Sequence, residues 1–245
     1  QASCELASGG YFVGDDGASE ETPCPAGNYS TAGATNCEPC PAGAFTATEG
    51  QSSCTSASAG YAVDSSGSDA QTECGPGTYS AGAGATECAV CLAGSFQAGT
   101  GQTSCVLASA GSIVSGDGAS EETPCPAGEF STAGATECTP CPAGEFTDAA
   151  GQSSCTSASA GYSVEATGSD AQTACGPGTY SAGAGATECA ACLAGSFQAL
   201  TGQTSCVLAS SGHFVGSARA SEEAECPAGT YSATGQEECD ACEPG

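Results

Sequence analysis

Twenty cysteines fall at 4, 24, 37 and 40, then 54, 74, 88 and 91, then 105, 125, 138 and 141, then 155, 175, 189 and 192, then 206, 226, 239 and 242. The offsets between them cycle through 20, 13 or 14, 3 and 14, so a period of 50 or 51 holds five times. A second period sits on top of the first. Residues 54–105 and 155–206 are identical at 45 of 52 positions, at an offset of 101. Self-similarity at a fixed period specifies a repeat architecture, in which each unit contacts chiefly its neighbours.

Such a chain cannot rely on an oily interior. Leu, Ile, Val and Phe together supply 22 of 245 residues, too few to offset the backbone entropy lost on folding. Disulfides are the substitute that the cysteine content offers, and a large globular enzyme is not expected. Arg219 is the one basic side chain, against 28 acidic groups and a net charge of −27. No basic patch can be assembled from it, so neither nucleic acid nor an anionic membrane surface is an expected partner. Mutual repulsion of the carboxylates favours an extended object, or one that attracts Ca²⁺. No apolar run approaches the length needed to cross a bilayer, so no membrane insertion is expected in this segment. A signal peptide is expected to lie outside this sequence or to have been removed.

Within each period a small motif recurs. CPAGNYSTAGATNC (24–37), CPAGAFTATEGQSSC (40–54), CGPGTYSAGAGATEC (74–88) and CLAGSFQAGTGQTSC (91–105) share one plan: Cys, two residues, Gly, one residue, an aromatic, polar residues, Cys. The aromatic stands five residues after the cysteine at Tyr29, Phe45, Tyr79, Phe96, Phe130, Phe146, Tyr180, Phe197 and Tyr231. Glycine at the fourth place permits a turn, the aromatic suits a short extended stretch, and the Ala/Gly/Thr cluster turns the chain back. Each short loop therefore reads as a tight β-hairpin. It is marginal alone, and a disulfide across such a loop contributes about 3 kcal/mol. A longer segment such as 54–74 alternates with these pairs; Tyr11, Tyr61 and Tyr162 stand at one place in it, and Ser112 and His213 replace them in the other copies. No helical apolar period is sustained, so little or no helix is expected. The repeats are bounded as 4–53, 54–104, 105–154, 155–205 and an incomplete 206–245, with 1–3 as the tail of a preceding repeat. The cysteine spacing alone leaves the pairing open, since first-to-third with second-to-fourth bonding would also close all twenty.

The elements CPxG[TNAE][YF] at 24–29, 40–45, 125–130, 141–146 and 226–231 resemble the ephrin-receptor-like (GCC2/GCC3) cysteine-rich repeat and the first half of tumour-necrosis-factor-receptor modules. They are also similar to repeats of ciliate surface antigens and of protist flagellar-hair and cell-coat proteins. The resemblance implies an elongated, disulfide-stapled linear array of short β-hairpins and irregular loops on a cell surface. It also implies sequential pairing: Cys24–Cys37, Cys40–Cys54, Cys74–Cys88, Cys91–Cys105, Cys125–Cys138, Cys141–Cys155, Cys175–Cys189, Cys192–Cys206 and Cys226–Cys239. Cys4 and Cys242 then remain. QASC at 1–4 matches the tail of a loop and CEPG at 242–245 the head of one, so these two are expected to pair in a continuing chain or between chains.

The five C-x-x-C pairs have no basic neighbour to lower a thiol pKa. Successive pairs are offset by 50 or 51 (88 minus 37 is 51), too far for a zinc site. They read as structural disulfides. His213, the only imidazole, occupies a place that is Tyr elsewhere, so a Ser–His–acid triad is not expected. Arg219 reads as a variation in a surface turn. Asp15, Asp16, Glu20 and Glu21 form the one weak Ca²⁺ candidate, although no EF-hand pattern is present. Asn28-Tyr29-Ser30 is an N-glycosylation sequon, and abundant Ser and Thr make O-glycans plausible. No enzymatic activity and no cofactor beyond weak Ca²⁺ is expected, with glycans attached. The expected role is an extracellular stalk, coat or filament whose principal partner is itself. The alternative is a receptor, adhesin or surface antigen presenting its modules to a protein or glycan.

Overall fold

The computed structural model describes residues 6–14 and 20–243. Among them are fourteen two-stranded antiparallel hairpins, every strand two residues long, and no helix. The architecture is a disulfide-rich repeat array, and each full repeat holds three hairpins, the longer alternating segment supplying the third. The segment between Cys54 and Cys74 forms its own hairpin, with Tyr61 opposite Glu73 and Ala62 opposite Thr72. Its disulfide-closed neighbour pairs Ala44 with Ser56 and Phe45 with Thr55 in the same register.

The common unit is therefore a module one third of the cysteine period, opening at positions 7, 24, 40, 57, 74, 91 and onward to 226. Cysteine opens two modules in three, and Ala7, Ala57, Ala108, Ala158 and Ala209 open the third. Glycine at the fourth place is the third residue of a tight turn. Gly27 has φ +84° while the Asn28 N–H donates to the Pro25 carbonyl at 3.0 Å, the geometry of a type II turn, which demands φ > 0 there.

The chain divides into two compact units. One comprises Gln1–Ala108, Val114–Thr123 and Gly134–Thr136, the other Ser109–Ile113, Pro124–Ala133 and Glu137–Gly245. In the first, successive modules are joined by a backbone ladder. Gly60 N–H donates to Ser80 O (2.8 Å), Cys74 N–H to Gly60 O (2.9 Å), Gly84 N–H to Ala57 O (2.8 Å) and Val63 N–H to Ala85 O (3.0 Å). The second repeats the pattern at an offset of 101: Gly161 to Ser181 (2.8 Å), Cys175 to Gly161 (2.9 Å), Gly185 to Ala158 (2.8 Å) and Val164 to Ala186 (3.0 Å). These bonds use backbone groups that flank the strands Tyr61–Ala62, Thr72–Glu73 and Thr78–Tyr79, so modules are joined outside the two-residue strands themselves.

The interior of each unit is a narrow column. Its buried side chains are chiefly the opening Cys or Ala and the seventh residue of the modules, which is Val in the cysteine-free modules and Ser, Thr or Gln in the others; Val13 and Cys226, at the first and last modules, are half-buried. The polar members are hydrogen-bonded, as buried polar groups must be. Ser30 Oγ donates to Tyr11 O at 2.9 Å, and Gln97 Nε2 to Ser104 O at 2.7 Å; Thr46 Oγ1 accepts the Gly27 N–H at 2.8 Å.

The ladder needs bare backbone at one further place. A Cβ on Gly60 would lie 2.2 Å from Gly101 O, and one on Gly161 2.2 Å from Gly202 O. The receiving residue, near the middle of each loop, is also in left-handed conformation. It is glycine throughout the described modules except at Arg219, whose φ is +65°. Arg219 is therefore a strained replacement for a turn glycine, rather than a free variation of the surface.

Gly60→Ala should lower stability by roughly 3 kcal/mol in denaturant unfolding of the oxidised chain, from strain and overlap together. Gly82→Ala, at a glycine with open space around it, should stay within about 0.5 kcal/mol, and Arg219→Gly should add about 1 kcal/mol.

Candidate functional site

The chemistry that distinguishes one module from the next is how its loop is closed. Cys24–Cys37, Cys40–Cys54, Cys74–Cys88 and Cys91–Cys105 close modules of the first unit. Cys125–Cys138, Cys141–Cys155, Cys175–Cys189, Cys192–Cys206 and Cys226–Cys239 close those of the second. Their Cα–Cα distances run from 5.6 to 5.8 Å. These are the pairs of the sequential scheme. In every C-x-x-C between two such loops the cysteines belong to different bonds, Cys37 to one loop and Cys40 to the next. Cys242 is exposed and carries no disulfide, and Cys4 lies outside the described residues.

The cysteine-free modules are closed by hydrogen bonds at the same station. Gln71 Oε1 accepts the Ser58 N–H at 2.7 Å, and Gln172 Oε1 the Ser159 N–H at 2.6 Å. Glu21 Oε2 accepts the Ser8 N–H at 2.7 Å, and Glu223 Oε2 the Ser210 N–H at 2.6 Å. Each acceptor stands where the second cysteine stands in a closed loop, and the alanine before each donor stands where the first does. The opening alanine is fully buried in Ala57 and Ala158, like the first cysteines. The cysteine pattern does not single out these residues as closures. The sequence nonetheless carries a signal: ASGG (7–10), ASAG (57–60, 108–111, 158–161) and ASSG (209–212) align with CPAG (24–27) through the turn glycine.

The remaining candidates are scattered. Of the four calcium candidates, Asp15 and Asp16 lie outside the described residues, Glu20 is exposed, and Glu21 is engaged by Ser8. His213 is half-buried in a strand facing Glu225. Ser232 Oγ donates to the His213 carbonyl at 2.6 Å rather than to its ring, whose Nδ1 is buried without a hydrogen-bond partner. The structure thus does not join that serine and imidazole as a nucleophile and base.

Asn28 sits half-buried in its strand opposite Pro39, its Nδ2 donating weakly to Ala26 O at 3.3 Å. Ser30 of the same sequon is buried and bonded to Tyr11 O. A glycosyl transferase that must read the Ser30 hydroxyl therefore needs the chain before this module has closed.

Gln71→Ala should cost about 1 kcal/mol, the net worth of one hydrogen bond, read as a shift in the denaturant midpoint at unchanged m-value. Gln71→Glu should cost less, because Glu21 and Glu223 accept the same bond elsewhere.

In comparisons with known proteins, the family model described as tyrosine-protein kinase ephrin type A/B receptor-like matches residues 27–74, 128–175 and 178–226, together more than half of the chain. No curated protein gave a significant match.

Proposed function

The chain belongs to the tyrosine-protein kinase ephrin type A/B receptor-like family, and from that premise we propose that it is an extracellular structural glycoprotein, a component of a stalk, coat or filament. Structural disulfides persist in oxidising compartments, and nine of them favour a working environment outside the cytosol. The observation that carries the structural reading is the identity of the joints. Bonds made by the module at 57 recur in the module at 158 to within 0.1 Å, so added modules add length without requiring a new contact. A receptor needs one patch that differs from the rest, and the sequence instead repeats its residues at 45 of 52 positions over an offset of 101.

Asn28 carries an N-glycan in this reading, attached before the module folds. Hydroxyl-rich loops carry further sugars, and the chain's main partner is another copy of itself. With a formal charge of −27, lateral association of copies needs counter-ions, Ca²⁺ included, to screen carboxylates that otherwise repel.

Electron microscopy of native material should show filaments or a coat with a regular axial repeat. Isolated monomers whose cell binding is abolished by deleting one particular repeat would establish the receptor reading instead. Peptide-N-glycosidase should lower the mass of native protein at Asn28; an unmodified Asn28 would remove the glycan from the account.

A further inference from the structure

We propose that the array is an extensible tether whose give resides in the cysteine-free modules, every third one along the chain. Tension in a folded chain follows its covalent bonds. Force entering at Cys24 crosses the disulfide to Cys37, runs along the backbone to Cys40 and crosses again to Cys54. Residues 25–36 and 41–53 are by-passed and bear no load. Beyond Cys54 the next disulfide begins only at Cys74. Everything that keeps this span folded is non-covalent: the Tyr61–Ala62 and Thr72–Glu73 pairing, the Gln71 bridge to Ser58, and the ladder bonds of Gly60, Val63 and Gly67. No disulfide falls within the spans from Cys105 to Cys125, Cys155 to Cys175 and Cys206 to Cys226 either, and the side-chain bridge recurs at Gln172 and at Glu223.

Two-thirds of the modules thus act as links of fixed length, and the third can open without breaking a covalent bond. Each span between links reaches at most roughly 70 Å when extended. Reclosure is favoured because the disulfide modules on either side keep the bonding partners of the opened segment in place. The alternation of closures, which adds nothing to a merely stiff rod, gives a tether that lengthens by a bounded amount and then stops.

Sequence equivalence supplies a direct lock. Ala57→Cys with Gln71→Cys places cysteines three residues after Cys54 and three before Cys74, the spacing that separates Cys37 from Cys40. The proposal deepens the structural reading above but is tested on single chains. Missing filaments would leave it standing, and its failure would leave filaments standing. The oxidised chain, stretched from its ends by single-molecule force spectroscopy, should lengthen in discrete increments of one size class, each no more than roughly 70 Å. The double variant, with its 57–71 bond verified by non-reducing mass spectrometry, should lose one increment, and reduction of the native chain should release further length. An oxidised native chain that shows no increments before covalent rupture would overturn the proposal. So would a bonded double variant with an unchanged number of increments.

Discussion

Backbone can bond to backbone across two modules only where no side chain stands between them, and the rest of this structure depends on that clearance. The turn glycine of one module, such as Gly60, lies against the carbonyl of Gly101 with no room for a Cβ. Its N–H and carbonyl both serve neighbours, reaching Ser80 and Cys74. The left-handed φ at both glycines frees the chain to make the turn and the approach at once. In a protein with so little apolar side chain, these backbone bonds and the narrow column of Cys, Ala, Val, Ser, Thr and Gln behind them take the place of a packed core.

Disulfides contribute in a different way. They restrict the unfolded chain, by about 3 kcal/mol for a loop of this length, and so let the weak ladder prevail over backbone entropy. The cysteine-free modules receive no such help. They fold on the strength of a Gln or Glu bridge, a Val such as Val63 or Val164 at the seventh place where the disulfide modules have Ser, Thr or Gln, and two closed neighbours. That division of labour follows from the quasi-one-dimensional energetics of repeat proteins, where a weak unit is held by the interfaces on either side.

Much of this was legible in the sequence. The period, the hairpins, the lack of helix among the described residues and the family resemblance all follow from Cys, Gly and aromatic residues at fixed offsets. The third module is harder to see. Attention to cysteine sets the segment from Cys54 to Cys74 apart as a longer stretch between hairpins, because alanine and glutamine carry no comparable signal. The turn glycine does carry it, at Gly10, Gly60, Gly111, Gly161 and Gly212, but only once cysteine is treated as one of two ways to close a loop. The role of Arg219 is hidden for the same reason, since its strain is defined by the glycines that stand in its place in other modules. The ladder between modules has no side-chain signature at all. It is written in backbone groups, and glycine marks it only by what is missing.

The central claim is that closing two modules in three by disulfides holds all three in register. Amide hydrogen exchange of the oxidised and reduced chain tests it most directly, read at Gly60, Gly67 and Gly101. The N–H groups of these residues reach Ser80, Cys40 and Cys74 across module boundaries. Strong protection is expected in the oxidised chain, with its loss at all three after reduction, including in the module that has no cysteine to reduce. Protection that survives reduction would contradict it.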